Sequence, residues 1–252
     1  MKPILFYISI FVLPIAIQAQ ATGQLSTYGG STGDGGVSDA LYQYALGSIS
    51  GRDSKTPYAN NNIQGSPYLS NSFDKALMYY GDEFVGDIYF RYNGYNEEIE
   101  IKQTNIEGEP IKGLGKDKKI KLVYNGNSLS FKTFIDKNGG TKNGYLTLIK
   151  DGHFKLYRHL KIVFKEAKKA ENSLVKGTPA KFLQSDEFYL EQPSEKSIRQ
   201  IELNNRKIIQ LFNDDTSSDL KEFLKNNKIK VNDENDLHQV INFLNEKYPS
   251  GP

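Results

Sequence analysis

The sequence contains no cysteine and no tryptophan, and it has only 2 methionines among 252 residues. Without cysteine there can be no disulfide bond, no thiol nucleophile and no lipid-modified cysteine of a lipoprotein anchor. Large apolar side chains come instead from 16 Tyr and 14 Phe, and the tyrosines add a polar hydroxyl suited to the edges of a sheet. A chain of this length can be held together by its apolar core alone.

Common motifs of catalysis and metal binding are also missing. The sequence has no Gly-x-Ser-x-Gly nucleophile motif and no phosphate-binding P-loop. Its three histidines, His153, His159 and His238, do not have the spacing of a zinc site, and we predict that they are ordinary surface residues. These absences predict no cofactor and no metal site, and they favour a protein that is not an enzyme.

An export signal is predicted at the N-terminus, over residues 1–19. Lys2 precedes an apolar run from Ile4 to Ile17, and the small residue Ala19 follows. This order is typical of a signal peptide, and the run is shorter than the roughly 20 apolar residues of a transmembrane helix. We therefore expect an exported protein, in the periplasm, at the outer-membrane surface or outside the cell, with no transmembrane segment after cleavage.

Residues 20–62 are rich in glycine, serine, asparagine and threonine. Such a composition buries too little apolar surface to order a backbone, so we predict a flexible leader. One stretch in it has apolar residues at helical spacing. It predicts a short helix over residues 38–47, with Ser38 as its N-cap and Gly47 at its end.

From residue 63 to residue 192 the apolar pattern repeats every two residues, with turn signals such as Asn93-Gly94 and Asp151-Gly152. This pattern predicts about eight antiparallel strands, with Asp151-Gly152 as a two-residue hairpin turn. In FKLYRHLKIVFK apolar residues alternate with basic ones. We therefore expect a sheet with one buried face and one basic, solvent-exposed face.

The last part of the chain, residues 193–252, predicts a final strand and a small helical subdomain. SIRQIEL suits the strand. A weak capping box at Thr216 predicts the start of one helix, and Asp233 is expected to cap a second. The apolar stripe of the second helix consists of Leu237, Val240, Ile241 and Leu244. Because such short helices do not persist alone, the stripe should dock onto the sheet or onto another helix.

The segment GDIYFRYNGYNEEIEIK predicts a β-hairpin around Asn93 and Gly94. Its alternation allows Arg91 to lie across from Glu98 or Glu100 as a cross-strand ion pair, which explains these residue types by structure alone. A catalytic alternative stays open. Glu98 and Glu100 on one strand face would satisfy the carboxylate spacing of a glycoside hydrolase.

The net charge of +2 conceals an uneven distribution. Residues 112–169 carry 15 basic and 4 acidic groups, whereas residues 170–252 carry 11 and 14. A basic block of this kind can bind an anionic partner. The candidate binding residues are Lys155, Arg158, Lys161, Lys165 and Lys168. The structural alternative is that these side chains form the solvated faces of strands, paired in part with the acidic flanks.

The sequences IQGSPYLSNSF, MYY and FRYNGYNEEIEIK, between residues 63 and 102, resemble a family of uncharacterised exported proteins of Gram-negative bacteria. In that family a Gly-Ser-Pro-Tyr-Leu sequence precedes a tyrosine-rich strand and an Arg-Tyr-Asn-x-Tyr hairpin. The later hairpin and the C-terminal helical pair are also similar to the closing portion of that family. The resemblance implies export and this architecture, and it supplies no catalytic residues.

Together these observations predict an α+β fold, mainly a curved antiparallel β-sheet with a small C-terminal helical subdomain. We expect a non-enzymatic periplasmic or surface module that binds an anionic envelope glycan or lipid through its basic sheet face, and no nucleic acid partner. Two alternatives stay open. One is a carrier that encloses a lipid or small molecule between sheet and helices, and the other is a hydrolase of envelope polymers.

Overall fold

The computed structural model describes residues 63–169, 177–195 and 197–249. The predicted signal peptide, leader and short leader helix lie outside the described residues. Within the described ranges the fold is mostly antiparallel sheet with three short C-terminal helices, which confirms the α+β class. None of these helices has the length and apolar character needed to cross a bilayer.

All the named strands belong to one 10-stranded sheet. In chain order they are β1 (Asp74–Tyr80), β2 (Glu83–Asn93), β3 (Glu98–Lys102), β4 (Lys112–Gly113), β5 (Ile120–Tyr124), β6 (Asn127–Ile135), β7 (Thr141–Lys150), β8 (Lys155–Lys165), β9 (Lys181–Glu191) and β10 (Ile198–Ile201). The prediction of about eight strands was too low. A strand as short as β4 cannot show an alternating pattern in the sequence.

The strands follow the order β10-β9-β8-β7-β6-β5-β1-β2-β3-β4. One pairing between named strands departs from the antiparallel pattern, because β10 also pairs in parallel with β6, with Ile198 opposite Phe134. This contact closes strands β6 to β10 into a ring. The ring encloses a small apolar cluster of Phe134, Leu146, Tyr157, Tyr189 and Ile198.

A larger core lies on the other face of the sheet. Strand alternation places Ile88, Phe90 and Tyr92 on one face of β2, where all three are buried. They pack with Ile99 and Ile101 of β3 and with residues of β1, β5 and the outer ends of β8 and β9. The turn between β2 and β3 is therefore brought close to β7 and β8.

The C-terminal helices are α1 (Asn205–Ile209), α2 (Asp214–Asn226) and α3 (Glu234–Lys247). Asp233 caps α3 by accepting a hydrogen bond from the backbone N–H of Asp236 at 3.0 Å. The stripe predicted for this helix, Leu237, Val240, Ile241 and Leu244, is buried. It packs in one cluster with Leu156 and Leu190 of the sheet.

The start of α2 differs from the predicted capping box. Asn213 is the N-cap, and its side chain accepts a hydrogen bond from the backbone N–H of Thr216 at 3.1 Å. Thr216 therefore lies within the first turn of the helix, where it is buried. The capping box failed because an asparagine side chain three residues earlier already satisfies this end of the helix.

The predicted two-residue turn at Asp151-Gly152 is also wrong, because residues 151–154 together connect β7 to β8. Asn245 of α3 holds this connection. Its Oδ1 accepts from the backbone N–H of Phe154 at 2.7 Å, and its Nδ2 donates to the carbonyl of Phe154 at 3.0 Å. A Cβ atom on Gly152 would lie 2.6 Å from Nδ2 of Asn245. A tertiary contact thus sets the length of this connection.

Candidate functional site

Arg91 and Glu100 form a buried ion pair across the β2–β3 hairpin. They are direct cross-strand partners, and Nε and Nη2 of Arg91 donate to Oε2 of Glu100 at 3.0 and 2.5 Å. Tyr68 covers the pair. Its hydroxyl donates to Oε1 of Glu100 at 3.1 Å, and its ring lies 3.9 Å beneath the Arg91 guanidinium. Burial, with the nearby charge of Glu100, raises the pKa of Tyr68 to about 12.

This arrangement fits the structural interpretation of the hairpin better than the catalytic one. Glu100 is only 6% exposed, and its carboxylate is held by the Arg91 and Tyr68 donors. Glu98 lies opposite Asn93. The side chain of Asn93 accepts from the backbone N–H groups of Tyr95 and Asn96, both at 3.1 Å, and so shapes the turn that begins at Gly94.

The β2–β3 turn, residues 94–97, lies between β7 and β8 at the point where those two strands separate. The β7–β8 ladder runs only as far as the pair of Thr147 and Arg158. Past that point Gly94 packs against β8, since a Cβ atom on it would lie 3.2 Å from the carbonyl oxygen of Leu160. On the β7 side Oε2 of Glu97 accepts a hydrogen bond from the backbone N–H of Tyr145 at 3.0 Å. The Glu97 carboxylate thus acts as an acceptor where β7 and β8 diverge.

His159 of β8 lies between two carboxylates. Its Nε2 is 2.6 Å from Oε1 of Glu97, and its Nδ1 is 3.5 Å from Oε2 of Glu187. Glu187 also accepts hydrogen bonds from Nζ of Lys161 at 2.6 Å and from the hydroxyl of Tyr189 at 3.2 Å. The side chain of His159 is 11% exposed. The prediction that His159 is an ordinary surface histidine is therefore wrong, because the β2–β3 turn covers this part of the strand.

The charges in this cluster stabilise one another. Burial alone would lower the pKa of His159, but the Glu187 and Glu97 carboxylates on either side of its ring outweigh burial and raise it to about 9. Interaction with His159, together with the Lys161 ammonium, lowers the pKa of Glu187 to about 2 against the opposing effect of burial. At neutral pH the cluster thus contains an imidazolium flanked by carboxylates.

An imidazolium in this setting is a poor base and a poor metal ligand, because both of its nitrogens carry protons. In the described ranges, moreover, no three His, Asp or Glu side chains are grouped so that they could hold a metal ion. The other two histidines lie apart from the cluster. His153 is in the β7–β8 connection and His238 pairs with Glu234 on α3 at 3.6 Å.

The structure divides the predicted binding residues between two faces of β8. Lys155, Lys161 and Lys165 lie on one face of the strand. Arg158 lies on the opposite face, where its Nη1 donates to Oε2 of Glu234 at the start of α3, at 3.0 Å. Lys168 lies beyond the end of β8 in an isolated bridge with Thr178. Arg158 therefore belongs to the contact between sheet and helix.

The expectation of a wholly exposed basic face needs correction as well. Tyr157 and His159 share the face of the lysines on β8, yet Tyr157 is only 4% exposed. Ring closure by β10 encloses Tyr157, and the β2–β3 turn covers His159. Apart from Lys155 at the start of β8, the residues of this face that are open to solvent lie on its outer part.

We call that outer part the basic ribbon face. It comprises Lys161, Val163 and Lys165 of β8 and their partners Ser185, Leu183 and Lys181 of β9. The two apolar residues oppose each other and are exposed, Val163 by 43% and Leu183 by 37%. The reverse side of the ribbon is anchored, because Phe164 and Phe182 pack at 6.5 and 5.5 Å from the ring of Tyr95.

An open groove of about 560 Å³ lies beside the ribbon, lined by residues among 65–71 and 182–184. Gln184 connects its two walls. Nε2 of Gln184 donates to the carbonyl oxygens of Ser66 and Tyr68 at 3.0 and 2.9 Å. The groove is therefore a shallow seam between the start of the described chain and the edge of β9.

Comparison of the chain with protein families, with curated proteins and with solved structures finds no match.

Proposed function

We propose that this protein is an exported, non-enzymatic module that binds an anionic surface through the basic ribbon face. One observation carries the proposal: Lys165 and Lys181 lie directly opposite each other on β8 and β9. Like charges in that position destabilise a sheet. Within the described ranges the salt bridge on this face is that of Lys161 with Glu187, and neither Lys165 nor Lys181 has one. An anionic partner would offset the repulsion.

The apolar centre of the face favours a lipid surface over a glycan. Val163 and Leu183 are exposed side by side, with Lys165 and Lys181 next to them on one side and Lys161 on the other. A membrane interface presents anionic headgroups above an apolar layer, and such a surface matches apolar side chains framed by lysines. Each lysine near an anionic bilayer contributes about 1 kcal/mol to binding.

Export is supported by the N-terminal sequence. The short apolar run from Ile4 to Ile17 and the following Ala19 have the order of a signal peptide. An exported protein meets the anionic lipids and glycans of the cell envelope, which are the partners that the basic ribbon face suits.

The interior contacts favour a binding module over the carrier and the hydrolase. The inward aromatic residues that would line a lipid cavity pack against each other, as Phe90 does with Tyr124 at 4.9 Å and Tyr92 with Tyr145 at 5.6 Å. The Glu100 carboxylate that a hydrolase would need is bound to Arg91. Neither arrangement leaves these groups available for a ligand.

Co-sedimentation with mixed phosphatidylcholine–phosphatidylglycerol vesicles at low and high salt tests the proposal. The wild-type protein should bind, and its affinity should fall steeply as salt screens the lysines. The double variant Lys165→Gln/Lys181→Gln should lose about tenfold or more in affinity. A matched control, Lys221→Gln/Lys225→Gln on α2, removes the same charge elsewhere and should bind as the wild type does.

A second pair of variants separates a lipid from a glycan. Val163→Ser/Leu183→Ser should weaken binding to the vesicles and leave binding to alginate, an acidic polysaccharide, unchanged. If the lysine variants lose alginate binding while the apolar variants bind both partners normally, the partner is an acidic glycan. Binding to neither partner at low salt would reject the basic ribbon face as a docking surface.

A further inference from the structure

The Glu97 carboxylate occupies a slot that is built by three separate strands. Oε2 of Glu97 accepts hydrogen bonds from the hydroxyl of Tyr92 on β2, at 2.8 Å, and from the backbone N–H of Tyr145 on β7, at 3.0 Å. Oε1 lies 2.6 Å from Nε2 of His159 on β8. Tyr92 and Tyr145 are each only 2% exposed. The slot thus aims buried donors at one carboxylate.

Gly144 leaves room for this carboxylate. A Cβ atom at residue 144 would lie 3.0 Å from Oε2 of Glu97, closer than side chains normally pack. The backbone of β7 can therefore approach the carboxylate directly. We call Tyr92, Gly144, Tyr145 and His159 the carboxylate slot.

The residue that fills the slot is held in an unfavourable backbone conformation. Glu97 has a φ of 53°, in the left-handed region that costs a non-glycine residue about 1–2 kcal/mol. It belongs to a turn rather than to a strand, and its side chain is 25% exposed. Backbone strain at a residue whose side chain accepts several hydrogen bonds is a feature of functional sites.

The groups around the slot would suit another carboxylate if Glu97 left. His159 and Lys161 supply two positive charges, and Glu187 supplies one negative charge. Glu187 contacts the opposite ring nitrogen of His159 and is itself bound by Lys161. The empty slot would therefore present the hydroxyl of Tyr92, the backbone N–H of Tyr145 and Nε2 of His159 to one point, and such directed donors are the chemistry that binds a carboxylate.

We infer that the carboxylate slot is a ligand site which Glu97 closes in cis, and that a ligand bearing a carboxylate group replaces Glu97 there. This inference does not rest on the proposed function, although the β2–β3 turn also packs behind the basic ribbon face. The ligand would displace the β2–β3 turn from the point where β7 and β8 diverge.

Variants that empty the slot test its chemistry, with acetate as the probe. Glu97→Ala should show a saturable rise in Tm with acetate, because binding to the folded state stabilises it. Acetamide, which has the same shape without the charge, should have no such effect. Hydrogen exchange at the Tyr145 amide should be fast in Glu97→Ala and slow again with acetate. Glu98→Ala is the matched control, and acetate should not change its Tm beyond the wild-type response.

Two further variants keep the test decisive. Glu97→Gly also removes the carboxylate and relieves the left-handed strain, so it provides a folded protein if Glu97→Ala is unstable. Adding Gly144→Ala to either variant places a methyl group in the slot and should weaken acetate binding by about tenfold or more. The variant Lys165→Gln/Lys181→Gln should leave the acetate response intact, which separates this site from the proposed membrane surface.

The wild-type protein tests whether Glu97 can be displaced. Acetate should perturb the His159 ring signals in NMR spectra only at concentrations at least about tenfold higher than in Glu97→Gly, because the tethered carboxylate competes at a high effective concentration. The site is overturned if neither Glu97 variant responds to acetate, or if Gly144→Ala leaves the response unchanged. The displacement of Glu97 by a ligand is contradicted if acetate binding saturates in the Glu97 variants while the wild type shows no response to acetate.

Discussion

Oε1 of Glu97 lies 2.6 Å from Nε2 of His159, although the two residues are 62 positions apart in the chain. This contact joins the β2–β3 turn to β8. The same turn supports the basic ribbon from behind, because Gly94 packs on Ile162 and Tyr95 packs on Phe182. The position of the ribbon therefore depends on the seating of this turn.

The first prediction concerns the stability of the fold as pH rises. The pKa of His159 is about 9 in the folded protein and about 6.5 in the unfolded chain. The charged form is thus favoured by folding. The charged His159 contributes on the order of 3 kcal/mol to the free energy of unfolding. This contribution is complete below pH 6.5 and decreases as pH rises toward 9. Urea unfolding of wild type and of His159→Gln should show a stability difference that narrows across this window.

Glu187 sets the acid limit of the same cluster. Its pKa is lowered to about 2 in the folded protein, so its contribution is complete above its unfolded pKa of about 4.5 and is lost only as pH falls toward 2. Glu187 therefore titrates well below the pH range in which His159 titrates. A stability difference between wild type and His159→Gln that stays constant up to pH 9 would contradict the raised pKa.

Local patterns in the sequence predicted much of the fold. Alternation predicted the strands, and the sequence around Asp233 predicted the start of α3, because both signals arise from neighbouring residues. The same holds for the hairpin, in which the predicted partners of Arg91 included Glu100. These features depend on contacts within a few residues or across one turn.

Features that depend on distant contacts could not be predicted in this way. The pairing of β10 with β6 joins Ile198 to Phe134, and nothing in either local sequence specifies the other strand. His159 looked like one more polar residue on a basic strand, because its partner Glu97 comes from a remote turn. The separation of β7 and β8, which creates the carboxylate slot, has no local signal at all.

The second prediction concerns the buried pair of Arg91 and Glu100. Arg91→Met would leave the Glu100 carboxylate buried without its cation, and should lower the free energy of unfolding by about 3–5 kcal/mol. The double variant Arg91→Met/Glu100→Leu should recover most of that loss, because no buried charge remains. Urea denaturation at neutral pH measures both changes.

An exposed pair provides the control for this experiment. Nζ of Lys75 lies 2.6 Å from Oδ2 of Asp87, and the lysine side chain is 59% exposed. Lys75→Met should therefore cost less than about 1 kcal/mol. Strictly additive effects of the Arg91 and Glu100 substitutions would contradict a coupled, buried pair.

The third prediction concerns the connection between β7 and β8. Gly152→Ala would place a Cβ atom 2.6 Å from Nδ2 of Asn245 at a φ of 146°. The clash and the backbone strain should together cost about 2 kcal/mol or more. Thermal unfolding should show a clearly lower Tm for this variant.

A glycine in open space isolates the contribution of the clash. Gly139 also has positive φ, but no atom would lie within 4 Å of an added Cβ. Gly139→Ala should therefore cost only the backbone strain, about 1–2 kcal/mol. An equal loss of Tm in the two alanine variants would show that the contact with Asn245 has no energetic role.

The fourth prediction links stability to binding at the basic ribbon face. Lys181→Glu changes the repulsive pair with Lys165 into a cross-strand ion pair, and should raise the free energy of unfolding by about 0.2–1 kcal/mol. The same change adds negative charge to the face and should weaken binding to an anionic surface. A lower stability of Lys181→Glu would contradict the repulsion between the two lysines.

Binding of wild-type protein and Lys181→Glu to phosphatidylglycerol-containing vesicles, measured at low and at high salt, tests the proposed role of the basic ribbon face most directly. The expected result is that wild type binds at low salt, loses affinity steeply at high salt, and loses it at low salt when Lys181 becomes glutamate. Equal binding by the two proteins, or wild-type binding that salt does not change, would contradict an electrostatic docking surface at Lys165 and Lys181.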